Sequence, residues 1–337
     1  MLDERHLLRM SDDVGLFEHA RGPVPRREHG YCLDDVARGL LLLSREPDLT
    51  PAMARLQETL FAFTAHAHVS GRFHNRLGFD RRWQDFPALG DWWGRALWGL
   101  GSTAAYADRT WLAGEAKVLF DEGAGRRAPS MHSMAFAGLG AVEMLTRHPQ
   151  EDLARSLLDD AVTAVGPIPA VRTWPWPQPR LEYAGAAVAE LLIAAGSVLG
   201  RPSVLDDGLR VLDWLVTLQT RNGRLSVVPV GGWSPSQHPP GFDQQPIEVA
   251  ALAGACVRAH AVTDDDRWAH TARRAREWFL GANDAGIALA DPHTGGCADG
   301  LRMDGVSRNQ GAESTLALLS TVQLQRLRPR VFGPVAA

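Results

Sequence analysis

Three things are scarce in this sequence: lysine, cysteine and long apolar runs. Lysine is nearly absent from the 337 residues, arginine supplies the positive charge, and the formal net charge is −4. The chain has no basic stretch or basic domain, so we do not expect nucleic acid as a partner. The three cysteines, Cys32, Cys256 and Cys297, share no metal-ligand spacing, and their odd number argues against a disulfide framework.

The longest apolar stretch covers residues 184–199 and is interrupted by Glu190, so it is too short and too mixed to span a bilayer. The N-terminus is charged and lacks the apolar core of a signal peptide. We therefore predict a cytoplasmic protein without a membrane partner. Histidines and cysteines are scattered, and residues 291–304 lack the ligand spacing of an EF-hand. We accordingly predict no metal site and no cofactor.

The main signal in the sequence is a repeated pairing of an apolar helix with an amphipathic one. Helices that are apolar almost all round and rich in small residues are predicted to begin near residues 34, 91, 132, 182, 246 and 311. Amphipathic helices are predicted at 3–20, 50–66, 112–122, 151–165, 203–220 and 265–280. Short strands are expected around 224–230. The interval between the starts of two successive apolar helices corresponds to one helical hairpin plus a loop.

Six equally apolar helices favour a closed ring, because an open solenoid needs polar repeats at its ends. Glycine lowers helix stability, so its frequency in these helices indicates close packing around one axis. We therefore predict an all-α fold. The expected architecture is an (α/α)6 toroid that forms a single domain over residues 1–337, with short β segments in its loops.

Carboxyl side chains recur where the apolar helices begin, and in such a ring these helix starts would share one face with the polar loops. Cleavage of a glycosidic bond needs one carboxyl that protonates the leaving oxygen and a second that activates water or attacks. We predict Asp243 and Glu182 as this pair, with Asp35 or Asp91 as substitutes. For any single acid, capping its own helix is the more common role.

Eleven tryptophans stand against three tyrosines, and several lie in loops rich in Pro, Gly and Asp. There they suit stacking on sugar rings, although packing beneath the loops explains each one equally well. His132 alone is better explained as a core or hydrogen-bonding histidine than as a ligand. The residues predicted to bind substrate are Asp34, His29, Arg95, Trp83, Trp92, His132, Trp174, Trp176, Tyr183, Gln244, Gln245, Asn309, Gln310 and Glu313.

Three segments, His29–Gly39, Phe242–Glu248 and Asn309–Thr315, resemble a bacterial helical domain found alone or attached to glycosyltransferases. That domain is similar in layout to (α/α)6 glycoside hydrolases, and the resemblance covers nearly the whole chain. It implies a small carbohydrate ligand and a functional link to a glycosyltransferase. The chain is not expected to be a glycosyltransferase by itself, because no Gly-rich phosphate loop follows a strand.

The favoured hypothesis is a glycoside hydrolase with paired carboxylates in a central cleft, with inversion as the favoured outcome and retention left open. Its substrate would be a short oligosaccharide or glycoconjugate. One alternative is a sugar epimerase or isomerase, which would need paired histidines, with His29, His74 and His132 as candidates. The other is a non-catalytic glycan-binding or scaffold domain that serves a glycosyltransferase, which would need the aromatic residues but no carboxyl pair.

Overall fold

A computed structural model describes residues 2–236 and 241–326 and shows a helical chain with short antiparallel strand pairs. Its contacts divide the chain into two compact units, one from Asp3 to Ala164 and one from Val165 onward. The assignment of residues 1–337 to one domain stays a prediction. In the described ranges, no helix is long and apolar enough to cross a bilayer.

The first unit contains buried helices that alternate with helices exposed on one face. The helices of this unit are α1 (Arg5–Arg9), α2 (Leu33–Arg45), α3 (Pro51–Ala67), α4 (Asp91–Tyr106), α5 (Thr110–Ala124), α6 (Met131–Arg147) and α7 (Asp152–Val165). Its strand pairs are β1 (Ala20–Arg21) with β2 (Val24–Pro25), β3 (Tyr31–Cys32) with β6 (Arg76–Leu77), and β4 (His68–Val69) with β5 (Arg72–Phe73). Helices α2, α4 and α6 are buried along most of their length.

The second unit repeats the alternation. Its helices are α8 (Gly185–Val198), α9 (Pro202–Leu218), α10 (Pro246–Thr263), α11 (Asp266–Phe279) and α12 (Ala312–Leu324). Its strand pairs are β7 (Thr220–Arg221) with β8 (Arg224–Leu225), and β9 (Leu301–Arg302) with β10 (Gly305–Val306). Helices α8, α10 and α12 are the buried ones.

The helix predictions are confirmed with one exception. The six apolar helices begin within three residues of their predicted starts, and five amphipathic helices lie within two residues of their predicted bounds. Local signals explain this agreement. Thr50 caps α3, because its hydroxyl accepts the Met53 N–H at 3.2 Å, and Pro51 occupies the first turn, where no N–H is needed.

The predicted helix over residues 3–20 is wrong, because helix α1 ends at Arg9. Asp12 then turns the chain: its Oδ1 accepts the N–H groups of Val14 (2.8 Å) and Gly15 (3.2 Å). Its Oδ2 accepts the Tyr31 hydroxyl at 2.7 Å. A side chain that bonds its own following backbone competes with helix continuation. The strand prediction over 224–230 holds only for β8.

Helices α4 and α6 approach so closely that glycine is required between them. A Cβ atom on Gly101 would overlap the carbonyl oxygen of Gly140. We expect Gly101→Ala to destabilise the protein by about 2 kcal/mol or more, since backbone atoms would have to shift. The matched control is Gly114→Ala on α5, where an added Cβ meets nothing within 4 Å. This control should be neutral or stabilise by up to about 1 kcal/mol. Urea unfolding of both variants tests this prediction, and equal changes in their free energy of unfolding would contradict it.

Candidate functional site

In the second unit, the loops that precede α8, α10 and α12 are joined to one another by backbone hydrogen bonds. The bonds link Leu181 with Trp233 (2.7 and 2.8 Å), Val230 with Asp243 (2.9 Å), and Gln244 with Leu301 (2.9 and 2.8 Å). We call these three loops the joined loops; the segment 229–233 belongs to the loop that precedes α10. They fix the main chain ahead of α8, α10 and α12.

The two predicted catalytic carboxyls lie on the joined loops and face solvent. Side chains alternate between the two sides of an extended backbone. Leu181 and Gln244 are fully buried, and their neighbours Glu182 and Asp243 are exposed. The backbone pairing therefore connects the segments that carry both carboxyls and directs both side chains away from the core.

Two residues predicted to bind substrate are instead buried beneath these loops. The Gln244 amide donates to Asp284 Oδ2 at 2.6 Å and accepts the Trp278 indole N–H at 3.2 Å. Trp176 is also fully buried, and its indole N–H donates to the Arg180 carbonyl at 3.0 Å. Their side chains hold the loops in place, which is the alternative that the sequence left open for the tryptophans.

Glu248, in the first turn of α10, supports the loop that carries Glu182. It is buried, and its Oε1 accepts the backbone N–H of Ala184 at 2.7 Å. Ala184 has a left-handed backbone with φ of 52°, immediately before α8. Tyr183, which lies between Glu182 and Ala184, is half-buried. Gln245, at the start of α10, is also half-buried. In the sequence, Glu248 is only the last residue of the segment Phe242–Glu248, and its bond to Ala184 gives it a positioning role.

Asp299 is a candidate functional carboxyl that sequence reasoning did not select. It lies just before the β9–β10 hairpin and accepts hydrogen bonds from the Asn309 amide, the Gly311 N–H (2.9 Å) and Ser314. Burial raises the pKa of Asp299 to about 6 despite these three bonds, and the nearby charge of Glu313 also raises it. A carboxyl with this pKa exchanges protons near neutral pH.

Asp291 in the same loop shows the opposite behaviour. Burial alone would raise its pKa, but hydrogen bonds from Gln310, the His293 N–H and Thr294 lower the pKa of Asp291 to about 2. The Gln310 amide donates to Asp291 at 3.1 Å and accepts the Thr294 hydroxyl at 3.1 Å. Gln310 thus fastens this loop to the start of α12, where Glu313 is half-buried.

Trp174 and Trp233 of the joined loops form a cluster with Trp214 of α9. Trp174 meets Trp214 edge to face, with ring centroids 5.2 Å apart, and Trp233 at 5.4 Å. The Trp174 indole N–H donates to the Gln178 carbonyl at 2.8 Å. All three rings are half-buried, so each leaves part of its surface accessible. Because Trp233 pairs with Leu181, this aromatic surface adjoins the segment that carries Glu182.

In the first unit, the predicted acids at the start of α2 are bound to arginines. Arg38 contacts Asp34 (3.0 Å) and Asp35 (2.7 Å), and Arg95 contacts Asp34 at 3.1 Å. The Arg95 guanidinium also lies over the Phe136 ring, 3.8 Å from its centroid. Asp35 and both arginines are buried, whereas Asp34 is partly exposed. Asp34 is therefore the more accessible of the two carboxyls.

The other predicted residues of this unit have defined partners. Asp91 accepts the Ser133 hydroxyl at 2.5 Å, and the Trp92 indole N–H donates to the Phe73 carbonyl at 2.8 Å. Next to Ser133, His132 is buried, in agreement with its interpretation as a core residue. Asp91 and Ser133 link the starts of α4 and α6, which is a structural role for this acid.

The three histidines named for an epimerase differ in their ring contacts and in their burial. His74 stacks on Trp83, with centroids 4.7 Å apart, and its Nδ1 lies 2.8 Å from the Asp85 carbonyl oxygen. His29 meets His19 edge to face at 4.8 Å on the surface. Neither contact involves the buried His132.

One group in the first unit has the composition of a metal site. Ligand atoms of Glu18, Cys32 and Asp35 lie within 4.8 Å of one another. However, Glu18 pairs with Arg76 and Asp35 pairs with Arg38, so both carboxylates already have a guanidinium partner. Burial also raises the pKa of the Cys32 thiol, which keeps it protonated. These side chains therefore do not fit a cation.

No family model and no curated protein matches the sequence. Solved structures match its fold. A sugar epimerase from a ruminal bacterium has a TM-score of 0.72 at 12% identity, covering 96% of this chain and 95% of that one. Cellobiose 2-epimerase from Spirochaeta thermophila has 0.72 at 14%, covering 97% and 94%. An α-1,6-mannanase of Salegentibacter has 0.64 at 9%, covering 97% and 96%. These similarities confirm the predicted all-α, (α/α)6 toroid fold class.

Proposed function

We propose that this protein is a glycoside hydrolase whose reacting carboxyls lie on the joined loops. Asp299 is the proton donor to the leaving oxygen, and Asp243 or Glu182 is the carboxylate that activates water or attacks. The observation that carries the proposal is the backbone pairing that fastens the loops bearing these three carboxyls to one another. Fixed groups on both sides of a scissile bond are what acid–base cleavage requires.

The fold supports a sugar substrate, because proteins with this fold include the two epimerases and the mannanase. The tryptophan cluster beside Glu182 supplies the aromatic surface that sugar rings favour. In the first unit, Asp34, Arg95 and Trp92 remain proposed substrate contacts, and Asp35 and Asp91 remain the substitute acids. The link to a glycosyltransferase and the cytoplasmic location stay predictions.

A sugar epimerase is the second candidate, because two of the fold matches above are epimerases that align over nearly their whole length. The side chains favour the hydrolase. In the described part of the second unit, His293 is the one histidine on a loop that precedes a buried helix; His260 and His270 lie on α10 and α11. The same loops carry several carboxyls, so proton transfer by carboxyls fits this unit better than transfer by paired imidazoles.

Incubation with cellobiose, longer cello-oligosaccharides and α-1,6-manno-oligosaccharides, followed by proton NMR, tests both candidates. New reducing ends would indicate hydrolysis, and a C2 epimer without new reducing ends would indicate the epimerase. We expect Asp243→Asn and Glu182→Gln each to slow cleavage, one of them by about 100-fold or more. The control is Asp304→Asn at the exposed hairpin tip, which should keep the native rate. The hydrolase proposal would be overturned if the native protein cleaves none of these glycosidic bonds. It would also be overturned if both variants cleave at the native rate.

A further inference from the structure

A hydrogen-bonded group of three side chains lies beneath the joined loops and is centred on Gln244, the residue next to Asp243. The Gln244 side chain is fully buried. Its Nε2 donates to Asp284 Oδ2 at 2.6 Å, and its Oε1 accepts the indole N–H of Trp278 at 3.2 Å. An indole N–H can only donate, so the amide oxygen must face Trp278 and the amide nitrogen must face Asp284. The amide of Gln244 therefore has a single orientation.

Asp284 lies on a short loop after α11 that is folded around a buried side chain. Asn283 is fully buried, and its Nδ2 donates to the carbonyl oxygens of Trp278 (2.9 Å) and Ile287 (2.7 Å). Its Oδ1 accepts the N–H groups of Ala285 (3.2 Å) and Ile287 (3.3 Å). These four bonds hold the main chain on both sides of Asp284. The carboxylate of Asp284, which is half-buried, is therefore presented by an ordered backbone.

Gln244 is coupled to Asp243 because the two residues share one stretch of fixed main chain. Gln244 exchanges two backbone hydrogen bonds with Leu301 (2.9 and 2.8 Å), and the Asp243 carbonyl oxygen accepts the Val230 N–H at 2.9 Å. The side chain of Gln244 is held from the core side, and its main chain is held by the neighbouring segments. A displacement of Gln244 would consequently move the exposed carboxyl of Asp243.

The pairing of the joined loops places the loop before α10 between the other two. Trp233 of this loop pairs with the loop that carries Glu182, and Gln244 pairs with the segment that carries Asp299. Asp243 therefore lies on the loop that pairs directly with the Asp299 segment. Glu182 lies one loop further away in this pairing.

We propose that Asp284 is a positioning residue for Asp243, and that Asp243 rather than Glu182 is the carboxylate that works with Asp299. This inference rests on the proposed function for the reaction itself. Asp284 acts through Gln244, which sets the direction of the Asp243 carboxyl. A misplacement of about 1 Å in a reacting group can slow a reaction about 100-fold, so a bond on the core side of the loops can control the rate.

Kinetics of reducing-end release from cello- and α-1,6-manno-oligosaccharides test the positioning role. Asp284→Ala removes the acceptor and should lower kcat by about 10–100-fold, with KM changed by less than about threefold. Asp284→Asn keeps an acceptor oxygen for Gln244 and should retain most of the native rate. The matched control is Asp213→Ala, which removes the 2.7 Å bond from Arg267 between the outer helices α9 and α11 and should leave kcat unchanged. Melting curves would establish that each variant is folded at the assay temperature.

A double-mutant cycle identifies the carboxylate that Asp284 serves. In the Asp243→Asn background, Asp284→Ala should cost little more, because the group that it positions is already lost. In the Glu182→Gln background, the same substitution should cost its full factor of about 10–100. A general packing defect would instead lower the rate equally in both backgrounds.

The inference is overturned if Asp284→Ala cleaves at the native rate, or if its loss of rate is equal in the two backgrounds. It is also overturned if the loss vanishes only in the Glu182→Gln background, which would make Glu182 the partner of Asp299. In these cases the native protein still cleaves, so the hydrolase proposal stands. A native protein that cleaves no glycosidic bond would overturn the hydrolase proposal and this inference together, so the two failures give different results.

Discussion

Asp299→Asn is expected to slow glycoside cleavage by about 10²–10⁴-fold, the usual contribution of a positioned general acid. The substitution removes the exchangeable proton and changes the shape of the side chain little. The bond from the Gly311 N–H can be kept, because asparagine retains one acceptor oxygen. The loss of activity should appear in kcat, and the loss of the oxygen that accepts the Asn309 amide should lower the stability as well.

The pH profile separates catalysis from structure. Burial raises the pKa of Asp299 to about 6, so the native rate should fall as pH rises through about 6, where the acid loses its proton. In the unfolded chain the pKa of this group is near 4. The folded state therefore holds the proton more tightly, and this stabilisation is complete below about pH 4 and lost between about pH 4 and 6. Asp299→Asn should remove both dependences.

Kinetics from pH 4 to 8, with melting curves at the same pH values, would check this expectation. Asp304→Asn serves as the control, because Asp304 lies exposed at the tip of the same hairpin. Two results would show that Asp299 only caps α12. The Asp299→Asn variant could cleave at the native rate, or its cleavage rate could still fall as pH rises through about 6. In that case, Asp243 and Glu182 would supply both the acid and the base.

The second large effect is expected in the buried charges of the first unit. Arg45 Nη2 contacts Glu143 Oε1 at 2.5 Å, and the Tyr106 hydroxyl donates to Glu143 Oε2 at 2.7 Å. Both charged side chains are buried. Glu143→Leu would leave the Arg45 charge without its carboxylate, and we expect a loss of about 3–5 kcal/mol in the free energy of unfolding.

The double variant Arg45→Met/Glu143→Leu distinguishes this cause from a packing defect. It removes both charges, so it should recover most of the lost stability. As a surface control, Asp13→Asn breaks the exposed Asp13–Arg81 pair of 2.8 Å and should change stability by less than about 1 kcal/mol. Urea unfolding of all three provides the comparison. A Glu143→Leu protein with native stability would contradict the prediction.

The buried helices could be predicted from sequence because their signal is local. An apolar run with small residues, a proline in the first turn and an acid near the start mark α10 without reference to any other segment. The helix predicted over 3–20 failed for a tertiary reason. The Asp12 turn is completed by Tyr31, which lies nineteen residues further along the chain.

The site was harder to predict because its geometry depends on pairings between distant loops. Asp243 and Gln244 are neighbours, and only the pairing of Gln244 with Leu301 decides which of them faces solvent. Asp299 lacks a local signal altogether. Its position is fixed by Asn309 and Gly311, which the β9–β10 hairpin brings back to it, and its raised pKa comes from burial. A composition of acids and amides shows that a polar site exists, but not which acid is desolvated.

The joined loops have a consequence for how this protein can change. Their bonds run between main-chain groups, which every residue except proline supplies. The side chains at positions 182 and 243 can therefore be exchanged while the backbone that presents them stays in place. An imidazole at either position would start from the same Cα as the carboxyl it replaced. Divergence at these two positions can thus alter the chemistry without first rebuilding the scaffold.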